Sequence, residues 1–146
     1  MLASNLVKNG KFAAPALIYN RTRSLAEQFC GDRDHATVAE SIEECVQKSD
    51  VIFLNVSNDD AVKEIISTCL KAVSSSEPRG AKLFVDMSSI HPNTTDEIAD
   101  MVVKAGQHFV ACPVFGTPDV AAQARVVVAI AGPRDCVEKA CWPRCL

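Results

Sequence analysis

The sequence predicts an α/β protein with a doubly wound, mostly parallel β-sheet. Apolar runs of strand length alternate with segments of helical periodicity at intervals of about 25 residues, which is the pattern of parallel strands joined by helical crossovers. The run at 51–56 is almost continuously apolar, as expected of a strand that is covered on both faces. A chain of 146 residues suits a single domain.

The composition excludes several functional classes. Hydrophobic residues make up 48% and charged residues 23% of the chain, as in an ordinary globular protein. The net charge of -3 gives no electrostatic basis for binding nucleic acid. The longest apolar stretches, such as 126–131, fall far short of the roughly 18 residues that span a bilayer, so we expect no membrane segment. The N-terminal residues lack the pattern of a signal or transit peptide, and we therefore expect a cytoplasmic protein.

The cysteines are scattered and form no CxxC pair. This pattern favours small buried side chains in a reducing compartment over a disulfide framework or a metal site. The three histidines lie far in sequence from the closest cysteine pair, so no zinc site is predicted. The seven cysteines are Cys30, Cys45, Cys69, Cys112, Cys136, Cys141 and Cys145.

The first half of the chain predicts helices and short strands in alternation. A helix with apolar spacing over 2–7 ends at Gly10, and a strand follows at 16–19. Two capping boxes, in which a serine precedes a glutamate by three residues, lie at 24–27 and 41–44. Each predicts the start of a helix, and a weak strand at 36–39 separates the two helices.

The second half continues the alternation. Asn58 is predicted to cap a helix whose apolar residues keep a 3.6-residue period up to Val73. A strand at 83–87 is followed by a helix that Thr94 and Glu97 would open, with Ile98, Met101 and Val102 facing inward. Strands are predicted at 109–112 and 126–132, with a short helix between them.

The residues beyond the strand ends are the candidates for a binding site, because ligands bind outside the carboxyl ends of the strands in doubly wound sheets. Arg21 follows the first visible strand, at a position where an acid commonly binds the ribose of NAD. An arginine at this position can hold the 2′-phosphate of NADP through its planar donor fork. The alternative is a solvated polar turn.

Three later loops offer groups suited to a cofactor or a small anion. The loop at 55–60 could line the nicotinamide side of a cofactor, or it could only cap the next helix. The loop at 86–92 brings two hydroxyls and a proline to the same sheet edge. In the loop at 113–116, a glycine turn would let backbone N–H groups approach an anionic substrate.

These motifs together resemble one family. Tyr19-Asn20-Arg21-Thr22, the segment 86–92 and the segment 113–116 are similar in order and spacing to the 3-hydroxyisobutyrate and 6-phosphogluconate dehydrogenase superfamily of β-hydroxyacid dehydrogenases. The resemblance covers nearly the whole chain. It implies a Rossmann-type domain of an oxidoreductase that uses NADP and acts on a β-hydroxyacid or its semialdehyde.

The resemblance also implies roles for individual residues. Phe115-Gly116-Thr117 stands where the family commonly has Ser-Gly-Gly, and this change removes a hydroxyl from the substrate loop. The family's architecture is compatible with a homo-oligomer. The implied cofactor-binding residues are Asn20, Arg21, Thr22, Asn55, Val56, Ser57 and Ser89, and the implied substrate-binding residues are Ser88, Phe115, Gly116 and Thr117.

Two features of the family are missing from the sequence. There is no GxGxxG turn to cradle the pyrophosphate, and no helical second domain with the general acid–base lysine. We therefore expect residues 1–146 to be a truncated NADP-binding domain whose Rossmann-type sheet lacks its first strand. The segment 141–146 is unlike the amphipathic helix expected there. We interpret this segment as the product of a frame change, a splice variant or a truncated gene model.

The missing features affect whether this chain alone is expected to be soluble and to bind NADPH. Unpaired strand edges would lower solubility, and we expect weak or absent NADPH binding by this chain alone. A non-catalytic dehydrogenase-like module that binds a partner protein is the alternative function. An unrelated doubly wound domain, such as a flavodoxin-like one, is a more distant alternative.

Overall fold

The computed structural model describes residues 2–10, 12–31, 33–75 and 80–141. Helices and short strands alternate along the chain. The helices are α1 (Leu2–Asn9), α2 (Arg23–Cys30), α3 (Ile42–Lys48), α4 (Asp59–Ser74), α5 (Pro92–Lys104), α6 (Pro118–Ala122) and α7 (Arg134–Cys141). The strands are β1 (Ala16–Ile18), β2 (Ala36–Val38), β3 (Val51–Leu54), β4 (Leu83–Asp86), β5 (His108–Ala111), β6 (Val114–Phe115) and β7 (Val127–Val128).

The strands form two parallel sheets and one antiparallel ribbon. β1 pairs with β2, and β4 lies between β3 and β5, with all of these pairs parallel. β6 and β7 pair antiparallel, and an isolated bridge between Ala111 and Ala131 joins this ribbon to the end of β5. Within the described ranges no strand pairs with both β1 and β3, so the β1–β2 and β3–β4–β5 sheets are separate. The predicted α/β fold with a mostly parallel, Rossmann-type sheet is confirmed.

Helices cover both faces of the β3–β4–β5 sheet, as a doubly wound fold requires. Successive residues of β4 point to opposite faces, so Phe84 enters one core cluster while Leu83 and Val85 enter the other. The first cluster includes buried residues of α3, α4 and α5, and the second includes residues of α1 and α7. All four residues of β4 are buried, which makes β4 the centre of the domain.

Several predicted helix ends are confirmed. Ser41 accepts a hydrogen bond from the backbone N–H of Glu44, and the Glu44 carboxylate accepts one from the N–H of Glu40. Asn58 caps α4 by accepting from the N–H of Ala61 at 2.9 Å. α1 closes with a hydrogen bond from the N–H of Gly10 to the α1 backbone.

Two predicted helix starts are wrong, one by two residues and the other by three. α2 begins at Arg23 and not after Ser24, because Asn20 accepts from the N–H of Thr22 and turns the chain earlier. Glu27, the predicted partner in that capping box, instead pairs with Arg23 at 2.8 Å.

α5 begins at Pro92, with His91 as its N-cap, and not after Thr94. Proline suits the first helical position because its missing N–H has no intrahelical partner there. Thr94 is buried one turn inside the helix. Of the three residues predicted to face inward, Ile98 and Val102 are buried and Met101 is exposed.

The strands are shorter than predicted, and one helix was missed. β3 stops at Leu54, with Val51 exposed, and the strand predicted at 126–132 is reduced to β7 and the bridge at Ala131. α7 was not predicted, although Pro133 before it and Asp135 in its first turn are typical of a helix start. Of the segment 141–146, predicted to be unlike a helix, Cys141 is the last residue of α7 and residues 142–146 lie outside the described residues.

Candidate functional site

The loops that follow β3 and β4 are locked together by Ser88. Its hydroxyl accepts a hydrogen bond from the N–H of Val56 at 2.9 Å and donates to the Asp86 carboxylate. The N–H of Ser88 also donates to Asp86 Oδ1 at 3.0 Å. Ser88 is only 4% exposed, so its hydroxyl is part of the framework of the site.

Asp86 is the buried acid of the site. It ends β4, and only 2% of its surface is exposed. Burial raises the pKa of Asp86 above its ordinary value, although the two hydrogen bonds from Ser88 oppose this shift. The sequence signal for this residue was an acid at the end of an otherwise apolar strand, and it was not assigned a role.

The raised pKa of Asp86 predicts a pH-dependent cost in stability. The folded state favours the protonated acid more than the unfolded state does, so the cost is absent below the unfolded pKa of about 3.9 and grows as the pH rises through the folded pKa. Relative to Asp86→Asn, the wild-type chain should therefore lose stability from about pH 4 upward. Urea unfolding of both proteins at several pH values measures this difference.

Asp100→Asn is the control for that series, because Asp100 lies at the surface in an exposed pair with Lys104. Its free energy of unfolding should stay within about 0.5 kcal/mol of the wild type at every pH. A wild-type advantage over Asp86→Asn that increases with pH would contradict the assignment.

A second clasp joins the starts of α4 and α5. The N–H of His91 donates to Asp59 Oδ1 at 3.0 Å. The Thr94 hydroxyl also donates to this carboxylate, and the two hydrogen bonds hold the pKa of Asp59 below its ordinary value. His91 Nδ1 in turn accepts from the N–H of Asn93 at 3.2 Å, so the first turn of α5 is capped by its own chain.

A cleft of about 400 Å³ opens at the carboxyl ends of β4 and β5. It brings together the segments 86–92 and 113–115 with the β7 side of the ribbon, as the placement beyond the strand ends predicted. Ser88, Ser89 and Phe115 line it. Gly116 and Thr117 are not among the lining residues, and Thr117 instead caps α6 by accepting from the N–H of Val120 at 3.4 Å.

The second group of predicted residues lies at the end of β1. Asn20, Arg21 and Thr22 are all exposed there. The neighbouring Arg23 is engaged with Glu27 and Glu40. Within the described ranges no hydrogen bond or ion pair involves the Arg21 guanidinium, so its donors remain open to a ligand.

The third group follows β3. Asn55 and Ser57 are exposed, and Val56 is half-buried with its N–H bonded to Ser88. Asn55 Nδ2 lies 3.5 Å from the carbonyl oxygen of Met87, at the limit of a hydrogen bond. The side chains of Asn55 and Ser57 therefore face no strong competing partner in the described structure.

Helix length, metal-ligating side chains and cysteine burial bear on membrane and metal binding. None of the helices in the described ranges is both long and apolar enough to cross a bilayer. The same residues contain no group of three or more His, Cys, Asp or Glu side chains placed to hold a metal ion. The side chains of Cys30, Cys69, Cys112 and Cys136 are buried, as predicted, and that of Cys45 is partly buried.

A parallel sheet with helices on both faces and polar loops beyond its strand ends is typical of a dinucleotide-binding domain. The chain belongs to the family described as the NAD binding domain of 6-phosphogluconate dehydrogenase, whose family model matches residues 1–141. This match confirms the superfamily that the strand-end motifs indicated.

Known relatives include an oxidoreductase and a nuclear factor. The chain is 36% identical over 138 residues to the NADH-dependent oxidoreductase ucdB of Aspergillus ustus, covering 94% of this chain and 47% of that protein. It is 30% identical over 142 residues to the cytokine-like nuclear factor N-PAC of Homo sapiens, covering 94% of this chain and 24% of that protein. The chain thus spans less than half the length of each relative.

The fold is shared with solved structures. The 3-hydroxyisobutyrate dehydrogenase of Mycobacterium tuberculosis, solved with L-serine, superposes with a TM-score of 0.79 at 23% identity. The superposition covers 95% of this chain and 44% of that one. At this identity the likeness shows a common fold.

Proposed function

We propose that this chain is the NADP-binding domain of an oxidoreductase that acts on a β-hydroxyacid or its semialdehyde. The observation that carries the proposal is Arg21, exposed at the carboxyl end of β1 with an unengaged guanidinium and no acid beside it in Asn20-Arg21-Thr22. An arginine fork matches a phosphate better than a ribose hydroxyl, which favours NADP over NAD. The relative named as NADH-dependent makes NAD the competing outcome.

The residues present fit the two ends of such a cofactor but offer no recognised site for the pyrophosphate between them. Asn20, Arg21 and Thr22 suit the adenosine ribose phosphate, and Asn55, Val56, Ser57 and Ser89 would flank the cofactor up to the nicotinamide ribose. The sequence holds no GxGxxG turn for the pyrophosphate, so we propose that the domain is not competent alone and assign no catalytic residue. When bound, the cofactor supplies or accepts hydride at the substrate carbon.

In this proposal the residues of this chain position the cofactor and the substrate. Ser88 holds the loops after β3 and β4 in register, and Ser89 presents an exposed hydroxyl to the cleft. Ser88, Phe115, Gly116 and Thr117 form the substrate side, with Gly116 and Thr117 supporting the loop behind Phe115. A homo-oligomer and a cytoplasmic location belong to the same proposal.

The role of Arg21 is tested with two small probes that differ only in the 2′-phosphate. We expect 2′,5′-ADP to bind this chain at least about tenfold more tightly than 5′-AMP, because a charge-assisted bidentate contact contributes about 1.5–3 kcal/mol. In Arg21→Ala this preference should disappear. Titrations followed by ¹H–¹⁵N NMR shifts detect the binding even when it is weak.

Arg23→Ala is the matched control. Arg23 is the next arginine along the chain, but Glu27 and Glu40 already occupy its guanidinium. The Arg23→Ala substitution should therefore leave the preference for 2′,5′-ADP over 5′-AMP within about twofold of wild type. Equal affinities of the unsubstituted chain for the two probes would reject the NADP assignment.

A non-catalytic binding module is the second candidate function. It is favoured by the relatives that are named as nuclear factors. Co-purification of the chain with one stable partner protein, together with no turnover of any semialdehyde, would support this function over the first. A tagged chain in the nucleus would likewise favour it over the cytoplasmic proposal.

A further inference from the structure

The cleft at the ends of β4 and β5 has mainly apolar walls. Pro113, Phe115 and Ile130 contribute from the ribbon side, and Ile90 and Pro92 from the loop before α5. Phe115 is 57% exposed, although its ring is one of the largest apolar groups of the chain. An aromatic ring left open in the wall of a concave site favours an apolar group as its neighbour.

The charged groups of the cleft are acidic. Asp86 lies at its floor and Asp96 on the first turns of α5. No Lys, Arg or His is among the lining residues in the described part of the chain. A carboxylate in the cleft would meet two acids and no cation, and this arrangement opposes its binding.

Four backbone donors near the cleft are already engaged. The N–H groups of Val56 and Ser88 donate to Ser88 Oγ and Asp86, and those of His91 and Asn93 donate to Asp59 and His91 Nδ1. The start of α5 is a place where an anion would otherwise be stabilised. Because these four donors are occupied internally, a carboxylate would have to break their present bonds to use them.

We propose that this cleft binds an uncharged apolar group of the substrate and excludes carboxylates, so that any carboxylate of the substrate is held outside it. The inference rests on the proposed function in treating the ligand as a substrate. Phe115 is the specificity-determining residue, because its exposed ring forms part of the open wall. The exposed Ser89 hydroxyl is left to bind a carbonyl or hydroxyl oxygen.

The position of Phe115 is set by its neighbours. It pairs with Val127 across the ribbon, while Val114 and Val128 on the opposite face pack against the core. The next residue, Gly116, lies so close to Val126 that a Cβ at this position would be 3.0 Å from Val126 Cγ1. The substrate loop is therefore held against the ribbon with the Phe115 side chain outward.

The test uses three ring compounds of matched size and different charge. We expect benzyl alcohol and benzylamine each to bind this chain at least about fivefold more tightly than benzoate. The ¹⁵N NMR shifts should centre on 88–92 and 113–116. Benzoate binding as tightly as benzyl alcohol, or shifts centred elsewhere, would overturn the proposal.

Two variants separate the ring from the charge. Phe115→Ser should weaken the binding of benzyl alcohol about fivefold. Phe12→Ser, which changes another exposed phenylalanine away from the cleft, should leave that binding unchanged. Asp96→Asn should reduce the discrimination against benzoate about twofold or more. All three positions are exposed, so the NMR spectra should show an intact fold, and an unchanged preference in Phe115→Ser would contradict the assignment.

The failure of this inference differs from the failure of the proposed function. If 2′,5′-ADP is preferred over 5′-AMP but benzoate binds the cleft best, the NADP assignment stands and the substrate inference is wrong. If the cleft prefers benzyl alcohol but the two nucleotides bind equally, the substrate inference stands and the NADP assignment is wrong.

Discussion

Replacement of Phe84 by alanine should destabilise the domain by about 3–5 kcal/mol. Phe84 lies in β4, the central strand of its sheet, and its ring is fully buried in the first core cluster between the sheet and the helices. The substitution removes the buried area of the ring and leaves a cavity that rigid strands cannot close. Urea unfolding followed by circular dichroism measures the change.

Phe115→Ala is the matched control, because the same substitution is made where the ring is 57% exposed. Its free energy of unfolding should stay within about 0.5 kcal/mol of wild type. If Phe84→Ala does not fold, Phe84→Leu should still fold and lose less than about 1.5 kcal/mol. Equal losses for Phe84→Ala and Phe115→Ala would show that the core is not where the structure places it.

Replacement of Ser88 by alanine should cost about 1–3 kcal/mol, which is the second large effect. The substitution leaves the N–H of Val56 without its acceptor and takes one donor from the buried carboxylate of Asp86. The loops after β3 and β4 would then lose the bond that joins them. Amide hydrogen exchange at Val56 should accelerate together with the loss in unfolding free energy.

Ser89→Ala provides the comparison, since the adjacent serine is exposed. It should change the free energy of unfolding by no more than about 0.5 kcal/mol and leave exchange at Val56 unchanged. A larger destabilisation from Ser89→Ala than from Ser88→Ala would reverse the roles given to the two serines.

Local patterns predicted much of the fold. The apolar run at 51–56, the cap at Asn58 and the helix stop at Gly10 all correspond to observed elements, because strand periodicity, capping and helix termination depend on neighbours in sequence. Two errors were local, since the Asn20 turn starts α2 early and α7 was missed despite its own start signals, but a third concerns a contact over distance. The first turn of α5 is shifted because Thr94 is drawn into a bond with Asp59 on α4, which no local capping rule contains.

The sequence indicated which loops border the candidate site but not the burial or hydrogen bonds of their individual residues. The rule that ligands bind beyond the strand ends led to the segments 86–92 and 113–116, and both border the cleft. The rule did not indicate that Asp86 is buried or that Thr117 serves as a helix cap. Burial and hydrogen-bond partners come from segments that are distant in the chain, so a motif alone does not contain them.

The sequence by itself determined the fold class, the family and the strand ends that could bind a cofactor, since periodicity and motif order are written along the chain. Only the tertiary structure decided that Ser88 is framework while Ser89 is exposed, and that the cleft is apolar and acidic. The physical reason is that adjacent residues on an extended segment point in opposite directions, and the packing of remote loops determines which of them meets water.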